Sequence, residues 1–201
     1  MARSGFIKTP NAQLIVTLDE AKTHLRILGN DDDAYITNLI FAARDTFENY
    51  TNTLPLLTSC FMFADAWFEI STLYFSPLPN SGKAIVNQIS YYDADDVQQI
   101  LPTTEYIVDA SHSPIRIGLS QKGKLPALSG RINQVEVAYE VGTKKVNEIP
   151  NGVKQAILIL VGQWYENRQE AIIGRSVSSI PMTATYLMDR YKVQTLGIDV
   201  C

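Results

Sequence analysis

The chain has 201 residues, of which 46% are hydrophobic and 19% charged, with a net charge of −4. That length suits one ordinary domain, or a core carrying a substantial insertion, and the apolar content excludes wholesale disorder. The mild negative charge argues against a broad basic face that grips nucleic acid through its phosphates. The longest uninterrupted apolar run, Ala156 to Val161, is far below the ~20 residues needed to cross a bilayer.

The start, Met1 to Lys8, has no apolar stretch of the secretory kind, so no export is expected. Thr17, followed by Leu18-Asp19-Glu20, predicts a helix opened by a capping box and running to about Leu28, with Gly29 ending it. Asn30-Asp31-Asp32-Asp33 then opens a second helix, whose positive N-terminus favours carboxylates. On it Ile36, Ile40, Ala43, Phe47 and Tyr50 form one stripe, with Leu39 beside it. The two make an αα-hairpin.

From Leu56 onward prolines punctuate β-prone runs, and helix gives way to sheet. Expected strands are Cys60 to Ile70, Ala84 to Tyr92, Tyr106 to Val108, Ile115 to Leu119 and Val135 to Val141. Tyr92-Asp93-Ala94-Asp95-Asp96 reads as a hairpin turn. In the last strand Val135, Val137 and Tyr139 share one side and Glu136 and Ala138 the other, so one face is packed and one more exposed. A long helix follows from Pro150 to about Glu170, with Val153, Ala156, Ile157, Leu160, Val161 and Trp164 on one face. Leu158 and Ile159 lie off that stripe, so the helix needs cover on more than one side, from its own domain or from a neighbouring subunit. Gly174 to Ser179 reads as a flexible link, Pro181 starts a short amphipathic helix bearing Tyr186, Leu187 and Tyr191, and residues 194–201 form a tail. The resulting fold class is α+β. Its units are an N-terminal extension and hairpin (1–55), the insertion (56–148), the long helix (149–173), and a link, short helix and tail (174–201).

Chemistry is hard to assemble from these residues. The two histidines, His24 and His112, fall in no ligand-spaced cluster, and Ser111-His112-Ser113 resembles a nucleophile site only by composition. Asp31-Asp32-Asp33 lacks the ligand spacing of a calcium loop, and Asp93, Asp95 and Asp96 fit turn preference. No phosphate loop or dinucleotide fingerprint is present. Cys60 and Cys201 are expected as free thiols in a reducing cytoplasm. The sequence thus predicts no enzyme, no cofactor and no metal site. Trp164 continues the core stripe, whereas Tyr165 and Arg168 turn away from it and are the subunit-interface candidates. Lys122 with Lys124, and Lys144 with Lys145, are the only compact basic pairs, and the latter supports a rival reading as a nucleic-acid-binding module. A hydrolase using His112 is a more distant rival.

Three blocks resemble the head-tail connector proteins of tailed bacteriophages, the adaptor or head-completion family. They are Val16 to Arg26 with Asp32 to Ile36, then Ile89 to Asp95, then Val153 to Arg168, in an order spanning about residues 14 to 192. Asp96 stands where such hairpins often carry glycine, and Glu140-Val141-Gly142 replaces a more usual threonine-alanine-glycine ending. The resemblance implies a helical bundle, the N-terminal αα-hairpin plus the long C-terminal helix, with a β-rich insertion between them. It also implies a virion structural protein at the head-tail junction, made and assembled in the bacterial host cytoplasm. It implies a homo-oligomeric ring matching the twelvefold portal, bound to portal protein and to a downstream stopper or tail protein. Genomic DNA would pass through the lumen without sequence-specific binding, and no membrane is involved. A stopper or tail-completion role for the same fold is the nearest alternative. The C-terminal region of such adaptors is implicated in portal docking, which makes Pro181, Tyr186, Leu187 and Tyr191 the docking candidates.

Overall fold

The computed structural model describes residues 5–9, 11–79, 83–168 and 181–193. The expected link at Gly174 to Ser179, the tail and Cys201 lie outside them, and the long helix ends at Glu166, short of the expected Glu170, because Asn167 leaves helical geometry. The described residues form two layers, one helical and one mostly antiparallel sheet, each with its own apolar core.

In the helical layer, α1 (Leu18–Leu25) opens on the predicted capping box: Thr17 Oγ1 accepts the Glu20 N–H at 3.1 Å, and the Glu20 carboxylate accepts the Thr17 N–H at 2.7 Å. The helix stops before Gly29. Arg26 takes the left-handed conformation (φ 58°), and the amides of Arg26 and Ile27 return to the carbonyls of Thr23 and Lys22. Ile27 thereby packs back on the helical core, which a straight continuation would prevent. In α2 (Asp33–Thr51) the predicted stripe is buried, with Ile36, Ala43 and Phe47 wholly inside. Asp32 stands at the N-cap of α2, but its side chain makes no hydrogen bond to its own helix.

The long helix α3 (Asn151–Glu166) buries Val153, Ala156, Ile157, Leu160 and Val161, with Trp164 partly buried against the same core. Leu158 and Ile159, off the stripe, also pack against that core. Their cover comes from the chain itself, since α3 lies against α1, α2 and the short C-terminal helix α4 (Met182–Asp189). Ala184 and Met188 of α4 are fully buried, the Val193 N–H donates to the Thr51 carbonyl at 2.8 Å, and the Tyr50 hydroxyl donates to Asp189 at 2.6 Å. Gly152 makes room for this closure, because a Cβ there would sit 2.7 Å from the Tyr191 hydroxyl.

The main sheet has strand order β1-β3-β9-β5-β6. These are Gly5–Lys8, Thr58–Ala64, Val135–Gly142, Lys83–Tyr92 and Gln98–Ile100, and every pairing is antiparallel. Strand β1 was not anticipated: it lies in the N-terminal extension by sequence yet adds to the sheet edge. A two-residue parallel pair, β2 (Thr53–Leu54) with β4 (Ser76–Pro77), and a separate hairpin, β7 (Tyr106–Asp109) with β8 (Arg116–Leu119), complete the layer. The expected strand Cys60 to Ile70 ends early, at Ala64. Beyond it the Asp65 N–H donates to Glu69, Trp67 to Ser71 coils into a short 3-10 turn, and the Trp67 indole N–H donates to the Pro126 carbonyl. The β5–β6 turn is as predicted, with Asp96 at φ 59° in the position that favours glycine, a conformation aspartate tolerates better than most residues.

The register gives the sheet two unlike faces, because directly opposed residues in antiparallel strands share a face. One face carries Cys60, Met62, Val137, Tyr139 and Ile89, all buried. The hairpin side chains Tyr106, Val108 and Ile117 join this core, as do Ile70, Leu73 and Phe75. Burial pushes the Cys60 thiol up to about 12. The other face carries Ile7, Phe61, Phe63, Ala138 and Ile85, none of which packs against either core. The layers meet where Lys8 Nζ bonds the buried Glu48 of α2 at 2.5 Å and Arg44 Nη1 donates to the Asn11 carbonyl at 2.6 Å. Burial raises the Glu48 pKa, and Lys8 opposes that shift.

Candidate assembly surfaces

Tyr165 and Arg168 meet, but first within their own chain. The Tyr165 hydroxyl donates to the Asp32 carboxylate, Arg168 Nη2 donates to the same oxygen at 2.8 Å, and the guanidinium stacks 4.5 Å from the Tyr35 ring and 4.6 Å from the Tyr165 ring. This clamp ties the end of α3 to the start of α2. It also explains why Asp32 leaves its own helix end: two donors 133 and 136 residues away hold it. Tyr165, expected to turn away from the core, is partly buried against it, whereas the Arg168 side chain is still 47% exposed, so the outward part of this preorganised pair is the guanidinium.

The Tyr165 hydrogen bond, followed by that of Arg168, lowers the Asp32 carboxyl below its ordinary value. A carboxylate depressed in the folded state adds stability above its unfolded pKa of ~3.9, and that addition is lost as pH falls through the folded value. Wild type should therefore be more stable than Asp32→Asn at neutral pH, with the difference shrinking as the medium is acidified below about pH 4. Denaturant melts of both chains across that range check it; curves that stay parallel would dismiss the clamp.

The docking candidates separate into two groups. Tyr186 is 72% exposed and Met182, one helical turn earlier, 89% exposed, so they form the outward face of α4. Leu187 and Tyr191 instead pack on the helical core, Tyr191 with its ring 6.1 Å from Phe47, and Pro181 caps the helix start. Sequence reasoning grouped them because an amphipathic pattern does not say which face the rest of the chain covers.

The remaining chemical candidates do not form catalytic or metal centres. Asp109, Ser111, His112 and Arg116 do come together at the exposed end of the β7–β8 hairpin. However, the hydroxyl of Ser111, the carboxylate of Asp109 and Arg116 all approach the same imidazole nitrogen, Nδ1, at 3.1, 2.9 and 3.0 Å. A relay needs serine and carboxylate on opposite ring nitrogens, and here Arg116 also neutralises Asp109 at 2.6 Å. The Asp93 carboxylate accepts the amides of Val97 and Asp95 and the Gln99 side chain, which completes the turn and lowers its pKa. Among the described residues no cluster of His, Cys, Asp or Glu could hold a metal, and no helix is long and apolar enough to cross a membrane. His24 lies beside Gly162 of α3, consistent with an edge-of-core place. In the Lys144-Lys145 loop, Lys145 is paired with Glu148 at 3.2 Å, which leaves little of a phosphate-binding pair.

Among the described residues the sheet is partly uncovered, an aromatic-arginine clamp is preorganised, and no catalytic constellation forms. Comparison with family models matches residues 15–192 to the phage gp6-like head-tail connector proteins, and the chain belongs to that family. These are structural connector proteins, not enzymes. The fold agrees: a chain in the neck of an empty gene transfer agent (GTA) particle computed with C6 symmetry superposes with a TM-score of 0.73 at 21% identity, covering 96% of this chain and 98% of that one. A chain of the native GTA virion gives 0.72 at 21% identity over 96% and 97%, and one from the native neck computed with C12 symmetry gives 0.68 at 20% over 96% and 98%. No curated protein matches the chain.

Proposed function

We propose that this protein is a head-tail connector of the adaptor type, forming a homo-oligomeric ring at the head-tail junction of a virion, beneath the portal. The observation that carries the reading is family membership over residues 15–192, supported by a fold shared end to end with neck chains computed under C6 and C12 symmetry. The ring extends the DNA channel and offers the tail its attachment surface. Genomic DNA passes without sequence-specific binding, and carboxylates lining the lumen let it slide where a basic wall would hold its phosphates. Tyr165 and Arg168 lie near the contact between neighbouring copies, already fixed by Asp32, so that little side-chain entropy is lost on association. The outward face of α4, Met182 and Tyr186, together with the segment after it, docks on portal.

Negative-stain electron microscopy of the purified chain mixed with the portal from its own source tests this reading. The expected result is added ring density on the narrow end of the portal, absent from either component alone. No association between folded, concentrated partners would overturn the adaptor role in favour of a stopper or tail-completion role.

A further inference from the structure

The uncovered sheet face is unusual for an antiparallel sheet. When one side is solvated, its outward positions are normally polar. Here Ile7, Phe61, Phe63, Ala138 and Ile85 stand among Ser59, Lys83, Gln88 and Ser90; Ile7 and Ile85 are more than half exposed, and Phe61 and Phe63 are half-buried. Exposed apolar side chains grouped on one sheet face in this way mark a contact surface. Glu136 and Glu140 stand in the same rows, and no lysine or arginine lies within ion-pair distance of either among the described residues.

On the far side of the same layer, the β7–β8 hairpin packs its inner row on the core and turns Ile107, paired with Gly118, outward. Ile107 is 57% exposed, and a Cβ on Gly118 would meet nothing within 4 Å. The loop leaving this hairpin carries Lys122 and Lys124, both exposed and neither ion-paired among the described residues, and the exposed Leu125.

Resting on the ring reading above, we infer that neighbouring copies meet head to tail through their β layers, the outer sheet face of one copy seated on the outer hairpin face of the next. A cyclic ring requires two different, complementary patches on each subunit, disposed on different sides. The two faces meet that requirement: each exposes isoleucine, Ile7 and Ile85 on the sheet and Ile107 on the hairpin, and they lie on opposite sides of one packed layer. The sheet face carries Glu136 and Glu140 with the single lysine Lys83 at its edge, while the loop beside the hairpin face carries Lys122 and Lys124. Charge complementarity of this sort sets register and suppresses wrong partners.

The test places one thiol on each face, Ile85→Cys and Gly118→Cys, in a chain carrying Cys201→Ser. Both sites are exposed or open, so the fold should be kept, and the buried Cys60 thiol, with its pKa pushed up to about 12, stays silent to maleimide. Particles assembled with the double-cysteine chain are treated with a short bis-maleimide and run on a denaturing gel. The expected result is a ladder of covalent multimers extending beyond the dimer, absent from either single-cysteine chain. If the chain is incorporated and both thiols accept a mono-maleimide, yet the ladder is missing or stops at the dimer, the head-to-tail contact is wrong while the ring reading stands. A chain absent from the particles would overturn the ring reading itself.

Discussion

A chain carrying Met182→Glu and Tyr186→Glu should fold like wild type and lose its attachment to portal. Both side chains stand on the outward face of α4, 89% and 72% exposed, so two carboxylates there disturb no packing. If this face docks, burying the Tyr186 ring is the kind of contact whose loss costs at least about 2 kcal/mol, a fall in affinity of roughly thirtyfold, and the added charges increase it. Thermal melts and co-sedimentation with portal separate the two effects. Unchanged co-sedimentation would remove α4 from the docking surface. Deleting residues 181–201 would not serve as the test, because it strips Ala184, Met188 and Val193 out of the helical core. A deletion beginning at residue 194 keeps Ala184, Met188 and Val193 in the chain.

Phe47→Ala should be the most damaging single change in the helical layer. Phe47 is fully buried on α2 and its ring lies 6.1 Å from that of Tyr191, so it joins the αα-hairpin to the segment that follows α4. Truncating a buried phenylalanine to alanine costs about 3–5 kcal/mol, and for a chain of this size that lowers the melting temperature by about 10 °C. The loss should fall hardest on α4, which has only the α2–α3 surface to lie on among the described elements. Urea unfolding, followed by helix content and by tyrosine fluorescence, checks it. A loss under about 1 kcal/mol would mean that α4 is not part of this core.

Together these substitutions distinguish two uses of apolar surface. The sequence reading leaves the excess on the long helix to be covered by its own domain or by a neighbouring subunit, and Leu158 and Ile159 pack, partly buried, against the chain's own helical core. On the sheet, by contrast, Ile7 and Ile85 are exposed beside the half-buried Phe61 and Phe63, and none of the four packs on either core. Strand alternation had already placed Val135, Val137 and Tyr139 on a packed face and Glu136 and Ala138 opposite. What alternation in β9 alone could not disclose is that its half-polar outer row continues into phenylalanines on β3.

What the sequence determined by itself was local. The capping box at Thr17 and Glu20, the buried stripes of α2 and α3, the Asp93 turn and the alternation of β9 depend on residues within one or two turns of each other, and each appears as predicted. The resemblance added the family, because its three blocks keep their order over nearly the whole chain. Tertiary structure alone decided which faces meet. Asp32 could have capped its own helix, but Tyr165 and Arg168, brought alongside by the packing of α3 on α2, offer it two stronger donors. Gly5 to Lys8 carried no strand signal, yet pairing with β3 satisfies backbone groups that β3 would otherwise leave open at an edge. Periodicity specifies which side chains share a face; which element covers that face, or whether any does, is settled by contacts between residues far apart in the chain.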